Sequence, residues 1–397
     1  MNHARIQWPD ELDEARFLAE YWQKKPLLIR QALPSFDTPL PADELAGLSL
    51  EPETTPRLIT RDTSGAYHLE HGPFEAERFE TLTGNDWSLL VTDVDKHLPE
   101  LAAYLQPFNF LPSWRIDDLM VSYAPPGASV GAHIDEYDVF LLQASGSRRW
   151  SIDQHANRSS ALLPDSELRI LADFHASDSW ELLPGDLLYL PPGVPHHGVA
   201  CAEPCTTWSI GFRAPTHADF VMRLAEMIAE GLPQQRYTDH ITRPALPGEI
   251  DAEALQRFAR IWHEALKQDS EVLADLTGRF LTESVNVTQV SDNDVPQTEA
   301  SECRFWMLSP FSRVAWRRSL DQASAAVTLY IDGETHACSQ DLAMQLATPG
   351  HCLELNRETH EAQDHELLQQ LVHSGVLIAA EQDEQDEQDE QDEQDEQ

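Results

Sequence analysis

Positive charge is scarce in this sequence: 27 Lys and Arg stand against 68 Asp and Glu, a formal net charge of −41. Such a surface repels nucleic-acid phosphates, so no direct nucleic-acid binding is expected. A basic protein would be drawn to it. Long apolar runs are missing as well. No stretch approaches the roughly twenty residues that a membrane-crossing helix needs, so no membrane association is expected. The opening MNHARIQWPDELDEARF lacks the basic and then apolar order of a signal peptide, and a cytoplasmic protein is expected. Cysteine is sparse: five residues, an odd number in a long chain, argue against a disulfide framework. No glycine-rich phosphate loop of the right spacing occurs.

What is present is unevenly spread. Residues 381–397 repeat EQD and hold eleven acids and no base, which leaves −30 on residues 1–380. That repeat reads as a disordered acidic tail without a catalytic role. A hydrophobic content of 41% supports real cores, and 397 residues suit two or three domains. Phe17, Leu18, Tyr21 and Trp22 share helical spacing near the start, and KKPLLIR follows as a short strand. From Trp114 to Ala214 short apolar or alternating runs are broken by turn residues, the texture of a double-sheet jelly roll. After Pro215 the pattern turns helical: Thr216 with Asp219 forms a capping box, and residues 251–267 and 270–282 supply more helix. Residues 286–302 are polar and read as a linker. A last domain follows, with a hairpin over Val327–Cys338 that turns at Asp332-Gly333, and two helices; a winged-helix shape is expected there. The expected boundaries are 1–215, 216–285, 286–380 and 381–397.

The chemistry centres on His133-Ile134-Asp135, read as part of a strand. Residues two apart on a strand share a face, so one imidazole and one carboxylate stand side by side. A second His from a distant strand would complete the two-His, one-carboxylate triad that holds Fe(II) with open coordination positions. The segment PPGVPHHG, about sixty residues later, offers His196 and His197. Spacing alone leaves the two nearly tied. An isolated H-x-D is most often an ordinary surface feature; its pairing with a proline-fixed His in a jelly-roll texture is far more specific. Open iron positions call for a chelating co-substrate such as 2-oxoglutarate, with O2 as the oxidant. The far carboxylate of 2-oxoglutarate then needs a cation, and a planar guanidinium suits it. Arg148 and Arg149 follow the Ser145-Gly146-Ser147 turn and face opposite ways, and Ser122 could add a hydroxyl. Without the triad, Arg148 would read as a surface ion pair. Cys201 and Cys205 read as strand-end cysteines, and His175, His217 and His336 have no evident partners.

The runs WRIDDLMVSY, GAHIDEYDVFLLQ, RRW, PGDLLYLPPGVPHHG and IGFRAP, with the opening FLAEYWQKKPLLIRQALP, resemble the bacterial JmjC-type ribosomal oxygenases. The resemblance spans roughly residues 1–380. It implies an α+β fold: a JmjC/cupin jelly roll (double-stranded β-helix), a helical dimerisation region that makes a homodimer, and a C-terminal winged-helix domain. It implies an Fe(II)- and 2-oxoglutarate-dependent dioxygenase that hydroxylates the β-carbon of an arginine in a large-subunit ribosomal protein. By motif position the iron ligands become His133, Asp135 and His196, and the 2-oxoglutarate contacts become Arg148 and Ser122. Asp118, Tyr137 and Asp138 lie on or beside the site strands and are the candidates to meet the target guanidinium. Two other readings compete: a JmjC protein demethylase, and a catalytically silent cupin-like module that binds proteins through its acidic surface.

Overall fold

The computed structural model describes residues 5–34, 36–155, 161–164, 167–239, 248, 250–283, 305–321, 326–355 and 362–380. The expected linker over 286–302 and the acidic tail over 381–397 lie outside the described residues.

A sheet of eight antiparallel strands forms the centre. It is built from β1 (Leu27–Ile29), β2 (Pro56–Arg61), β3 (Tyr67–His71), β4 (Trp87–Val91), β5 (Ile116–Ala124), β6 (Asp138–Ser145), β9 (Leu187–Leu190) and β11 (Cys205–Phe212), in the order β1-β9-β6-β11-β5-β4-β2-β3. A second sheet, in the order β10-β7-β8, combines β7 (Arg148–Ile152), β8 (Asp178–Leu182) and β10 (His196–Ala200). Together they are the expected jelly roll.

The strands read as strands because their side chains alternate between two different environments. On β5, Leu119 and Val121 enter the main core, as do Phe140 and Leu142 of β6 and Trp208, Ile210 and Phe212 of β11. That core lies on the outer face of the large sheet. It is closed by α1 (Glu14–Glu20), which brings Phe17, and by the 3-10 helix Pro99–Phe108, which brings Leu101, Leu105 and Phe108. Each of these large side chains contributes about 1.5–3 kcal/mol through burial. The outer face thus carries the most extensive apolar cluster among the described residues. The residues between them, Asp118, Met120 and Ser122 on β5 and Thr207, Ser209 and Gly211 on β11, face the second sheet and are free to be polar. Every residue of β11 is buried, because both of its faces are covered.

Short helices α2 (Ala42–Leu48), α3 (Ala76–Glu80) and α4 (Val94–His97) sit in the connections of this half. Beyond it come α5 (His217–Glu230), α6 (Ala252–Ala265) and α7 (Ser270–Thr282). The capping box at Thr216 and Asp219 is formed in both directions. Met227 and Ile228 of α5 pack on Leu276 of α7. The α6 helix keeps Leu255, Phe258, Ile261 and Trp262 about half exposed.

The C-terminal part has a separate core around Leu329, Ala343 and Leu368. It holds β12 (Phe305–Leu308), β13 (Val314–Arg318), β14 (Val327–Ile331), β15 (Glu334–Cys338), β16 (Cys352–Glu354) and β17 (Leu377–Ala379), with α8 (Gln340–Leu346) and α9 (Ala362–His373). The hairpin turns at Asp332-Gly333 as expected, and both residues have positive φ, +49° and +82°. That is the geometry for which Asp-Gly is suited.

Candidate metal centre

The expected strand over His133-Ile134-Asp135 is not regular strand. The segment lies in the connection from β5 to β6, and only His133 joins a ladder, as an isolated antiparallel bridge to His196. Gly131 adopts φ +88°, which breaks the extended path just before the histidine.

The bridge itself brings the two imidazoles together. His133 N–H donates to His196 O at 3.0 Å and His196 N–H donates to His133 O at 2.9 Å. This reciprocal pair clamps two backbones that are far apart in sequence. Gly193 N–H of the Pro-Pro-Gly turn donates to Asp135 O at 2.8 Å, which ties the carboxylate-bearing residue to the same frame. One ligand atom from each of His133, Asp135 and His196 lies within 4.8 Å of the others. His196 Nε2 is 3.5 Å from Asp135 Oδ2, and His133 Nε2 is 4.0 Å from Asp135 Oδ1.

Both imidazoles are also turned the right way. His133 Nδ1–H donates to Gly131 O and His196 Nδ1–H to Val194 O, each at 3.0 Å. Each Nε2 is then left with its lone pair facing the cluster, the usual outer-shell arrangement for a metal-binding histidine. Burial pushes the His196 pKa down to about 4, with neighbouring His133 adding to the effect, so the ring is neutral and ready to bind a cation. The tie between the adjacent histidines is resolved by packing: His196 is 2% exposed and joins the cluster, while His197 turns to Phe174.

Arg148 lies on the same inner face, 2% exposed. Arg149, one residue on, points out and pairs with Glu181 at 3.5 Å. Arg148 Nη1 donates to Ser122 Oγ at 3.1 Å and to Thr207 Oγ1 at 3.3 Å. Thr207 in turn donates to Gln143 Oε1, and Ser122 donates to Thr207 O. The guanidinium is therefore held in place from one side. Its other side is bare: Arg148 Nε and Nη2 are buried without a partner, and so is Trp150 Nε1. A buried orphan donor costs about 1–3 kcal/mol, more when it is charged. Two parallel N–H groups on one edge of a guanidinium match a carboxylate. The Trp150 ring lies between the two ends, 5.3 Å from Arg148 and 5.7 Å from the His196 ring. It fits because Gly198 has no Cβ, which would come within 2.7 Å of the indole.

Toward the mouth, Asp118 and Tyr137 meet over Gly211. A Cβ added at Gly211 would lie 2.8 Å from Asp118 Oδ1 and 3.8 Å from the Tyr137 ring. Burial, then the neighbouring Asp93, Asp117 and Asp95, raise the Asp118 pKa to about 7. Such a carboxyl gains from an arriving cation. Asp138 is different. It sits on the outer face with Phe140 and is 0% exposed. It accepts from Tyr189 OH at 2.6 Å, Gln23 Nε2 at 2.9 Å and Arg115 Nη2 at 3.2 Å. The expectation that Asp138 meets a substrate is corrected: it faces away from the metal-binding cluster and is fully engaged.

Thr207, Gln143, Met120 and Gly211 carried no local signal in the sequence. They become site residues only through the register of β11 against its two neighbours: β5 pairs Thr207 with Ser122, Ser209 with Met120 and Gly211 with Asp118, and β6 pairs Thr207 with Gln143.

Comparison with known proteins places this geometry. A JmjC domain model matches residues 103–220. The ribosomal protein uL16 3-hydroxylase of Escherichia coli is 35% identical over 293 residues, covering 73% of this chain and 75% of that one. A probable ribosomal oxygenase of Haemophilus influenzae is 34% identical over 268 residues, 67% of this chain and 65% of that one. The structure of the E. coli ribosomal oxygenase YcfD in complex with cobalt and 2-oxoglutarate matches with a TM-score of 0.75 at 29% identity, covering 94% of this chain and 99% of that one.

Proposed function

This chain belongs to the JmjC family of ribosomal oxygenases, and from that premise we propose that it is an Fe(II)- and 2-oxoglutarate-dependent dioxygenase that hydroxylates the β-carbon of an arginine in a large-subunit ribosomal protein. The observation that carries the reading is the convergence of His133, Asp135 and His196 on one point. The E. coli relative named above acts at the 3-position of uL16, which is the β-carbon of an amino acid.

In this reading His133, Asp135 and His196 hold Fe(II), a donor set that leaves coordination positions open. Arg148 takes the far carboxylate of 2-oxoglutarate on Nε and Nη2, while Ser122 and Thr207 hold the guanidinium from behind. When bound, iron and 2-oxoglutarate together use O2 to place one oxygen atom on a C–H bond, releasing succinate and CO2. The chain's own work is to aim that bond. Asp118 receives the target guanidinium and ionises as it does so, and Tyr137 provides a flat wall beside it. Val139, Leu141, Leu188 and Leu190 line the space between the sheets and keep water out. A positioned reactant of this kind accounts for a large share of enzymatic rate.

The rest of the chain fits a ribosomal substrate. The net charge of −41 attracts a basic protein, with an on-rate that falls as salt rises. The exposed apolar side chains of α6, with Val221 and Met222 of α5, supply the face for a homodimer across the 216–285 region. The C-terminal strands and helices serve as a winged-helix domain, and the site of action is the cytoplasm.

The test is direct. Purified protein with Fe(II), 2-oxoglutarate and a uL16-derived peptide should form succinate and add one oxygen atom to the peptide by intact mass. Loss of a methyl group instead would favour the demethylase. No iron-dependent CO2 release would favour a silent binding module. An Asp135→Ala protein that turned over as fast as the parent would sink the assignment.

A further inference from the structure

The inner face carries a second guanidinium that the reaction as described does not use. On β2, Leu58 enters the outer core, so its neighbour Arg57 turns to the inner face. Register then places Arg57 in a row. It pairs with Leu90 on β4, Leu90 with Ser122 on β5, and Ser122 with Thr207 on β11. The long side chain leaves this row. Nη2 donates to Met120 Sδ at 3.3 Å. Met120 lies between Ser122 and Asp118 on the inner face. The Arg57 guanidinium thus crosses over β4 and ends beside the path from the co-substrate end of the chamber to the Asp118 end.

A thioether sulfur is a weak acceptor, and a guanidinium has five N–H donors. Among the described residues, Arg57 makes no ion pair, in a chain that carries 68 acids. It is half-buried at the edge of the inner face. The side chain therefore has donors to spare at the wall of the substrate path. A second cation here would repel a target guanidinium laid against it. It is compatible with one whose charged end sits at Asp118 and whose main chain passes Arg57. The oxygen that every peptide brings to that place is its backbone carbonyl.

We propose that Arg57 is a specificity-determining residue that donates to main-chain carbonyl oxygens of the substrate segment flanking the target residue, and so fixes which carbon of the target side chain faces the iron. The inference rests on the reading that the chamber takes a basic peptide side chain. A planar fork can span two acceptors, which a single carbonyl contact from Lys would not reproduce.

The iron-loaded parent, Arg57→Gln and Arg57→Lys are compared on a uL16-derived peptide. One or two charge-assisted hydrogen bonds predict a KM for the peptide raised about 10- to 100-fold in Arg57→Gln. The same variant should spread the added oxygen over more than one carbon, read by fragment masses. Its affinity for 2-oxoglutarate and for Mn(II), and its melting temperature, should stay at parent values, and Arg57→Lys should fall between the two in KM. A parent that leaves the peptide unmodified overturns the functional reading and this inference together. A parent that hydroxylates it, beside an Arg57→Gln enzyme with unchanged KM and a single modified carbon, overturns the inference alone. So does a variant whose main defect is in 2-oxoglutarate affinity, because Arg57 would then act on the co-substrate end.

Discussion

Replacing Arg148 with Met should abolish co-substrate binding without weakening the fold. Two of its donors, Nε and Nη2, are buried and unpartnered in the free protein, and burial lowers the pKa of the group. Only Nη1 is engaged, with Ser122 and Thr207. Neither hydroxyl depends on that contact, because Thr207 also donates to Gln143 and Ser122 also donates to Thr207 O. The substitution removes orphaned donors that cost about 1–3 kcal/mol each and leaves no new ones. The free protein should melt at the parent temperature or above it. The ligand side changes in the opposite sense. Two charge-assisted hydrogen bonds are worth about 1.5–3 kcal/mol each, so about 3–6 kcal/mol of 2-oxoglutarate affinity should go. At about 1.4 kcal/mol per factor of ten, the Kd rises at least 100-fold. Melting of the Mn(II)-loaded protein with and without 2-oxoglutarate reads both effects. At a concentration near 100 Kd the parent gains about 2.7 kcal/mol, and the variant should gain almost nothing. A variant that keeps its 2-oxoglutarate shift, or a free variant that melts several degrees early, would show that Arg148 is a structural cation and would refute the reasoning.

Other outcomes follow from the same geometry. His196→Ala should lose metal binding by at least two orders of magnitude while His197→Ala stays near the parent, as measured by Mn(II) titration. Asp138→Ala should cost about 3–5 kcal/mol of stability, because it strands Arg115 in a buried pair; metal and 2-oxoglutarate affinity per folded molecule should not move. Gly211→Ala should push the Asp118 carboxylate aside and raise the peptide KM, with uncoupled 2-oxoglutarate turnover unchanged. The Asp118 pKa, raised by burial to about 7, gives two opposite pH trends. The folded state holds the proton more tightly than the unfolded one, so Asp118 contributes stability below the ordinary Asp range that is lost as pH rises through about 7. Peptide affinity should instead improve over the same rise, because the target guanidinium needs the ionised form, and Asp118→Asn should flatten both profiles.

Much of this was legible in the residues. Alternation and turn residues between Trp114 and Ala214 marked the jelly roll, because each strand has one apolar face to bury and a period of two reports it. The His-x-Asp pair and the proline-fixed histidine were legible because they are chemically rare together. Three things were not. The choice of His196 over His197 depends on which face of β10 meets the cluster, and two adjacent identical residues give no local clue. The regular strand expected over His133 and Asp135 failed because a positive φ at Gly131 is a backbone property that a lone glycine does not announce. Asp138 was misplaced for a related reason: an acid at the head of an apolar strand reads as exposed, whereas Tyr189, Gln23 and Arg115 come from three distant segments to bury it.

The division between Asp117 and Asp118 makes the point sharply, since two identical neighbours do different jobs. The β11–β5 ladder pairs Gly211 with Asp118 and then Phe212 with Ile116, so Asp117 is skipped. An extra residue in one strand reverses the facing of everything before it. Ile116 can therefore pack on the outer core while Asp118 turns inward, although residues two apart in an unbroken strand would share a face. Asp117 itself is pushed outward to meet Arg313 at 3.1 Å. Without the skipped residue, either Ile116 would lie in the polar chamber or Asp118 would lie in the apolar core, and both are costly. The acid that we assign to the substrate is thus aimed by one irregularity in the ladder rather than by its own chemistry. A bulge next to a chamber is a common way to redirect a side chain, and here it converts a strand edge into a recognition wall.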